Sequence, residues 1–591
     1  MRLALAQINP TVGDLDGNRA LVLERLEQAR EADADIAIFP ELAVTGYPPE
    51  DLLLRPGFVR AAERSLEQIA QASHGIVLLV GTPHLDRDLY NACAVCSGGE
   101  LKALVKKRFL PNYGVFDEVR YFAPGHDLYL FEHGDALVGV TVCEDMWQPG
   151  PPATDLALAG AQLLVNISAS PFHVGKERER EEMFRTRARD NNAYVAFCNT
   201  VGGQDELIFD GHSVVIDDEG EVIARAPGFE ESLLVVDVDL SSVVARRLTD
   251  PRRRSLAKDR GDLGPVTTVH VGAPHEHATP VTPVVEPFAD ELEQMRQALV
   301  LGLGDYVAKN GFSDVLVGVS GGIDSALTVA IAVEALGAGR VHCVSMPSRY
   351  SSQATRADAR ALAEGLGCDF REIEIEPMVE SFLEALAPSF AGREADLTEE
   401  NLQARIRGTV LMGLSNKFGW LLVATGNKSE LSVGYATLYG DMAGGFALLK
   451  DVFKTDVFRL SRYLNERFEA GLAGKAGEAS DAASQATPRH EVIPQSIVDR
   501  APSAELRADQ LDEDSLPPYS ALDKVLEAYV EQDRSLEELS ADGFDPDVVE
   551  RAVAMIDRAE YKRRQAPPGV RLRPKAFGRD RRTPITNRWR S

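Results

Sequence analysis

Val315-Leu-Val-Gly-Val-Ser-Gly-Gly-Ile-Asp-Ser325 decides the fold of the second half of this 591-residue chain. Val315 to Val319 reads as a buried strand, and the helix that follows opens at Ala326-Leu-Thr-Val-Ala-Ile-Ala-Val-Glu-Ala-Leu336. Between them the Ser-Gly-Gly turn lets backbone N–H groups approach an anion, with the positive end of the helix behind them. A pyrophosphate fits such a cradle. The lysine that closes a Walker A loop is missing, and so is a well-placed G-x-G-x-x-G, which argues against both γ-phosphate hydrolysis and hydride transfer. Strand and helix alternate again through Val341-His-Cys-Val-Ser-Met346 and Trp420-Leu-Leu-Val-Ala424. A doubly wound parallel sheet is expected, with its ligand outside the strand C-termini.

Upstream, three separated pieces carry a second chemistry. Glu41 follows the strand Ala34-Asp-Ile-Ala-Ile38, Lys107 lies in Lys106-Lys-Arg-Phe-Leu-Pro-Asn-Tyr113, and Cys143 ends the strand Leu137-Val-Gly-Val-Thr-Val142 just before Glu144-Asp-Met-Trp147. Brought together, such residue types offer a sulfur nucleophile, a carboxylate to move protons and an ammonium to stabilise an oxyanion. Around these pieces, short Val/Ile/Leu strands alternate with amphipathic helices such as Asn18 to Arg30, the pattern of an α/β sandwich. Strands are expected at Gly75–Val80, Leu137–Val142, Gln162–Ile167, Tyr194–Cys198 and Ser232–Val238.

The phosphate loop resembles the S-G-G-x-D-S loop of the N-type ATP pyrophosphatases, which activate a carboxylate as an acyl-adenylate and let an amine displace AMP. Glu41, Lys107 and Cys143 resemble the triad of the nitrilase superfamily. Leu110-Pro-Asn-Tyr-Gly-Val-Phe-Asp-Glu118, Asn166-Ile-Ser-Ala-Ser-Pro-Phe-His-Val-Gly-Lys176, Ala424-Thr-Gly-Asn-Lys-Ser-Glu430 and Pro502-Ser-Ala-Glu-Leu506 are similar to segments of the glutamine-dependent NAD synthetases. This resemblance spans nearly the whole chain. It implies a nitrilase-like α-β-β-α sandwich followed by a Rossmann-like ATP pyrophosphatase domain. It implies that ammonia from glutamine amidates deamido-NAD at the expense of ATP, giving NAD, AMP, diphosphate and glutamate.

The same resemblance implies roles for individual residues. Glu41 is the base, Lys107 the oxyanion partner and Cys143 the nucleophile, while Tyr113, Ser170 and Lys176 hold glutamine. Gly318, Val319, Ser320, Gly321, Gly322, Ile323, Asp324, Ser325, Thr425, Lys450 and Ser503 contact ATP. Asn401, Glu430, Asp441 and Lys562 contact deamido-NAD, and Mg²⁺ rests on Asp324 and Glu430. A homo-oligomer with at least paired synthetase domains is implied too.

Composition bounds these expectations. A chain of this length exceeds one hydrophobic core; the domains expected are 1–265 and 289–591, joined by a Pro-rich linker at 266–288. With 44% hydrophobic and 26% charged residues, it reads as an ordinary globular protein lacking any apolar run long enough for a bilayer. Met1 to Asn9 reads as a first strand rather than a targeting segment. A net charge of −28 argues against nucleic acid as a partner. Six cysteines make no disulfide framework, which suits a reducing cytoplasm, and the lone Cys93-x-x-Cys96 reads as strand rather than zinc site. Gly471–Arg489, nearly free of large apolar residues, is expected to be a mobile loop. The basic stretch from Tyr561 to Arg590 reads as a solvated surface or a subunit or anionic-ligand contact. The rivals are another amidotransferase of the pyrophosphatase class, or a binding protein with one decayed site.

Overall fold

Leu3 and Leu5 face one way along the first strand, Ala4 and Ala6 the other, and this period of two builds the first half of the protein. The computed structural model describes residues 1–277, 279–475, 491–507 and 510–589. It divides into two units, Met1–Ala289 and Asp290–Ser591.

In the first unit the strands are β1 (Arg2–Gln7), β2 (Ile36–Ile38), β3 (Val77–Asp86), β4 (Asp88–Ser97), β5 (Glu100–Lys106), β6 (Leu128–His133), β7 (Ala136–Val142), β8 (Leu163–Ser168), β9 (Tyr194–Asn199), β10 (Val201–Gln204), β11 (Leu207–Asp210), β12 (Val214–Ile216), β13 (Val222–Arg225), β14 (Ser232–Asp237) and β15 (Val266–Gly272). Among the described residues they form a six-stranded sheet, β14-β1-β2-β3-β4-β5, and a seven-stranded sheet, β13-β12-β9-β8-β7-β6-β15, with β10 and β11 paired by themselves. Leu3, Leu5, Ile36 and Ile38 of one sheet meet Val138, Val140, Val142 and Val165 of the other in a shared core. The opposite face of the first sheet, through Ala4, Ala6 and Leu78, packs on Val22, Leu26, Leu66 and Ile69 of two helices, Leu15–Glu31 and Pro56–Gln71. Leu164, Val195 and Phe197 on the outer face of the second sheet cover Phe184 and Ala188 of the helix Lys176–Asn191. Helix, sheet, sheet and helix are therefore layered as the hydrophobic alternation dictates.

Val266–Gly272 falls in the stretch expected to be linker, yet it forms β15 and pairs in parallel with β6. Its Val-Thr-Thr-Val-His-Val pattern suits an edge strand, one side toward the sheet and the other toward water. Beyond it the chain stays tied to the first unit. His275 N donates to Asp35 Oδ1 at 2.7 Å, and the His277 ring lies between Asp33 Oδ2 at 3.0 Å and Asp35 Oδ2 at 2.9 Å. The prolines and glycines block a helix but leave backbone and imidazole groups to satisfy these carboxylates.

The second unit holds β16 (Val315–Gly318), β17 (Val341–Ser345), β18 (Asp369–Glu372), β19 (Leu421–Ala424) and β20 (Phe446–Ala447), in the order β18-β17-β16-β19-β20. Every neighbouring pair is parallel. Succession runs outward from β16 in both directions, so the C-terminal end of β16 is a topological switch point, where open α/β sheets bind ligands. The phosphate loop leaves the sheet there. Of the expected mobile segment, 471–475 close the helix Lys454–Lys475 and 476–489 lie outside the described residues. Much of the basic tail is turned inward: Arg563 bonds Glu560, Arg571 bonds Asp580, and Arg573 pairs with Asp456. No helix among the described residues is long and apolar enough to cross a membrane.

Candidate active sites

Lys107 follows the last residue of β5 and is fully buried, which forces its ammonium to find anions within the protein. It finds two. Lys107 Nζ stands 2.7 Å from Glu41 Oε1 and 2.8 Å from Glu118 Oε1, and burial's tendency to lower its pKa is overcome by these two carboxylates, which raise it well above the usual lysine range. Glu41 is fixed on both oxygens: Asn91 Nδ2 donates to Oε1 at 2.7 Å, and Ala169 N to Oε2 at 3.0 Å. Burial pushes the Glu118 carboxyl up to about 7 although Lys107 opposes it, and the Tyr47 hydroxyl donates to its Oε1 at 2.9 Å.

Cys143 sits just past β7 with φ +43°, a left-handed turn that a non-glycine residue adopts only when its surroundings hold it there. It is buried, and burial first, then Glu41, push its thiol well up against the pull of Lys107. Burial therefore disfavours the charged sulfur in this site, and Lys107 alone favours it. Glu41 and Lys107 come from one sheet and Cys143 from the other, all beyond strand C-termini.

The turn bearing Glu41 depends on a glycine across from it. Gly81 N donates to Pro40 O at 3.1 Å, and a Cβ at Gly81 would overlap Leu42 N and Pro40 O and lie 2.6 Å from Glu41 C. Gly81→Ala is expected to cost about 1–3 kcal/mol of stability through overpacking. Thermal unfolding of the purified variant measures this; an unchanged midpoint would show that the turn yields freely.

The residues expected to hold glutamine stand as follows. Tyr113, 58% exposed, donates its hydroxyl to Glu144 Oε2 at 2.9 Å, next to Cys143. Ser170 is buried, its N–H donating to Asn199 Oδ1 at 2.9 Å, one residue after the amide that fixes Glu41. Lys176 places its ammonium 4.2 Å from the centre of the Trp147 ring.

In the second unit the loop from Gly318 to Ser325 lines one cleft together with Thr425, Glu430, Asp441 and Ser503. Gly321 has φ +80°, and a Cβ there would overlap Thr355 O, so the turn closes tightly enough only with glycine. Asp324 Oδ1 accepts from Asn427 Nδ2 at 2.8 Å. Lys454 Nζ bridges Asp324 Oδ2 and Glu430 Oε1, the latter at 3.0 Å. Burial lifts the Glu430 carboxyl to about 7, Lys454 counteracting and Asp324 adding to the rise.

Lys450 does not join this cleft: its ammonium donates to Pro567 O at 2.7 Å, and Lys454, four residues on, stands against the loop instead. Asn401, Asp441 and Lys562 meet around one segment. Asn401 Oδ1 accepts from Thr437 Oγ1 at 2.7 Å, Asp441 Oδ1 accepts from Thr437 N at 2.7 Å, and Lys562 Nζ donates to Gly434 O and Ala436 O, each at 2.8 Å. Of these three only Asp441 lines the cleft itself. Reasoning from sequence missed Glu118, Asn91, Asp145 and Lys454; the last had a signal in its four-residue spacing from Lys450.

Residues 2–248 match the carbon-nitrogen hydrolase family and residues 295–566 the NAD synthase family. The chain is 48% identical over 593 residues to the glutamine-dependent NAD(+) synthetase of Thermotoga maritima, covering 100% of this chain and 99% of the relative. It is 43% identical over 591 residues to the enzyme of the same description from Acinetobacter baylyi, covering 100% and 99%. The solved structure of the glutamine-dependent NAD+ synthetase from Acinetobacter baumannii with ADP superposes with a TM-score of 0.72 at 40% identity, covering 99% of this chain and 98% of that one.

Proposed function

Because this chain belongs to the family of glutamine-dependent NAD(+) synthetases, we propose that its two constellations divide one reaction between them, ammonia being released at Cys143 and consumed beyond β16. The enzyme is a ligase that amidates deamido-NAD with nitrogen from glutamine and energy from ATP. The observation that carries the division is the presence in one chain of a buried Glu41–Lys107–Cys143 site and a glycine-bound phosphate loop at a sheet's switch point.

In the first unit Glu41 takes the Cys143 proton as sulfur adds to the glutamine carboxamide, and Lys107 faces the oxygen that becomes negative. The tetrahedral adduct collapses to a thioester as Glu41 returns the proton to departing ammonia, and water then releases glutamate. Tyr113, Ser170 and Lys176 orient the amino-acid end.

In the second unit the nicotinate carboxylate attacks the α-phosphate of ATP; the P–O bond to the β,γ-diphosphate breaks, and ammonia later displaces AMP from the acyl-adenylate. Backbone N–H groups of the 320–325 turn and Lys454 face the diphosphate, Thr425 and Ser503 line the nucleotide's path, and Asn401, Asp441 and Lys562 flank the dinucleotide. Asp324 and Glu430 form a donor set suited to Mg²⁺, which takes one or two carboxylates and completes its shell with phosphates and water. Bound there, the ion would neutralise charge on the diphosphate leaving group. The same reading includes homo-oligomeric assembly, and a reducing cytoplasm that keeps the Cys143 thiol free.

The division of labour gains most if ammonia passes between sites unprotonated, since ammonium is no nucleophile. With ¹⁵N-amide glutamine and a moderate excess of unlabelled ammonium, the NAD amide is expected to carry the label almost undiluted. Mass spectrometry of the product decides; label diluted in proportion to the bulk pool would mean that ammonia escapes before use.

A further inference from the structure

Asp145 lies two residues past Cys143 and is 2% exposed, yet it touches neither Glu41 nor Lys107 through a hydrogen bond. Its carboxylate instead spans two segments. Oδ2 accepts from Val142 N at 3.0 Å, the amide immediately before the strained Cys143 turn. Oδ1 accepts from Arg108 N at 3.0 Å and Phe109 N at 2.9 Å, the two amides immediately after Lys107. A carboxylate that only capped the 143–146 turn would need the first bond alone. The other two reach 37 and 36 residues back along the chain.

The segments it joins belong to different sheets. β5 delivers Lys107 from the edge of the first sheet and β7 delivers Cys143 from the interior of the second. The hydrophobic layer between the sheets sets their spacing only as finely as side-chain packing allows. Three charge-assisted bonds to backbone amides fix direction as well as distance. Burial pushes the Asp145 carboxyl up to about 6, with those amides and Lys107 pulling the other way.

We propose that Asp145 is a positioning residue for glutamine hydrolysis, a carboxylate staple that sets the Lys107 ammonium relative to Cys143 so that it meets the oxyanion formed on attack. The proposal rests on the reading of Cys143 as nucleophile and Lys107 as oxyanion partner. An asparagine tests it sharply, because an amide has one accepting oxygen. Whichever way it turns, either Val142 N–H or the Arg108 and Phe109 N–H pair faces an NH₂ group. Size is kept and one arm of the staple is lost.

For Asp145→Asn, glutamine hydrolysis is measured in the full-length protein, and each preparation is normalised to its own ammonium-driven NAD synthesis. The kcat is expected to fall about 100-fold, the scale of a misplacement near 1 Å, with KM for glutamine within about threefold. Alkylation of Cys143 by iodoacetamide, followed by peptide mass mapping, supplies the second readout. That displacement of iodide develops no oxyanion, so its rate is expected to stay within about threefold of the parent while kcat falls. An unchanged kcat, or a parallel fall of kcat and alkylation, overturns the proposal. Asp145→Ser, which leaves room for water to accept from the same amides, is measured alongside; failure of both variants to fold also overturns it, since the carboxylate would then serve the fold itself. In the parent protein, alkylation of Cys143 that leaves hydrolysis intact would instead sink the nucleophile assignment.

Discussion

Cys143→Ala is expected to lower glutamine-driven NAD synthesis by about 10⁴-fold or more, because no neighbouring group can replace the sulfur as nucleophile. Glu41, the one carboxylate held by Lys107, Asn91 and Ala169 N, is fixed for proton transfer rather than for attack. With ammonium supplied instead, synthesis is expected to stay within about twofold of the parent, since every group assigned to adenylation lies in the other unit. Removing the sulfur leaves a small gap in a buried turn, so unfolding of the first unit is monitored in the same preparation. Equal loss with both nitrogen donors, in a variant that unfolds normally, would show that the two chemistries are not divided in this way.

The layered sandwich and the parallel sheet were legible because both depend on hydrophobic period and on turn glycines, which are local properties of sequence. Leu3/Ala4 alternation announces two faces, and Ser320-Gly-Gly322 announces a tight turn, which Gly321 makes at φ +80°. That Glu41, Lys107 and Cys143 lie close together could be expected for another reason: each follows a strand in a recognisable motif. Glu118 ends a segment that resembles the family's, but its contact was not legible; only the fold places a carboxylate eleven residues beyond Lys107 back against the same ammonium. Lys450 and Lys454 show the limit of register. Lys454 opens a helix and lies against the loop, whereas Lys450 lies in the turn before it and donates to Pro567 O, more than a hundred residues away. β15 was hidden because an exposed edge strand rich in Thr and His carries too weak an alternation to separate from linker.

Asp324→Ala and Glu430→Ala are each expected to lower NAD synthesis about 10²–10³-fold with glutamine and with ammonium alike, the effect of losing one electrostatic anchor on a developing anion. The structure offers a rival account: Lys454 bridges both carboxylates, so either substitution also releases that lysine. The conservative changes separate the two accounts. Asp324→Asn and Glu430→Gln keep an oxygen that can accept from Lys454 Nζ, but weaken the site for a hard divalent cation, which prefers anionic oxygen. If these carboxylates hold Mg²⁺, the amide variants are expected to need at least about tenfold more Mg²⁺ for half-maximal synthesis and to recover rate as Mg²⁺ is raised. If they serve only to place Lys454, the amide variants should respond to Mg²⁺ as the parent does. Pyrophosphate release before ammonia is added locates the defect. An ion held there would neutralise the leaving diphosphate, so its loss would slow the first half-reaction, and variants that release pyrophosphate at the parental rate would place both carboxylates outside adenylation.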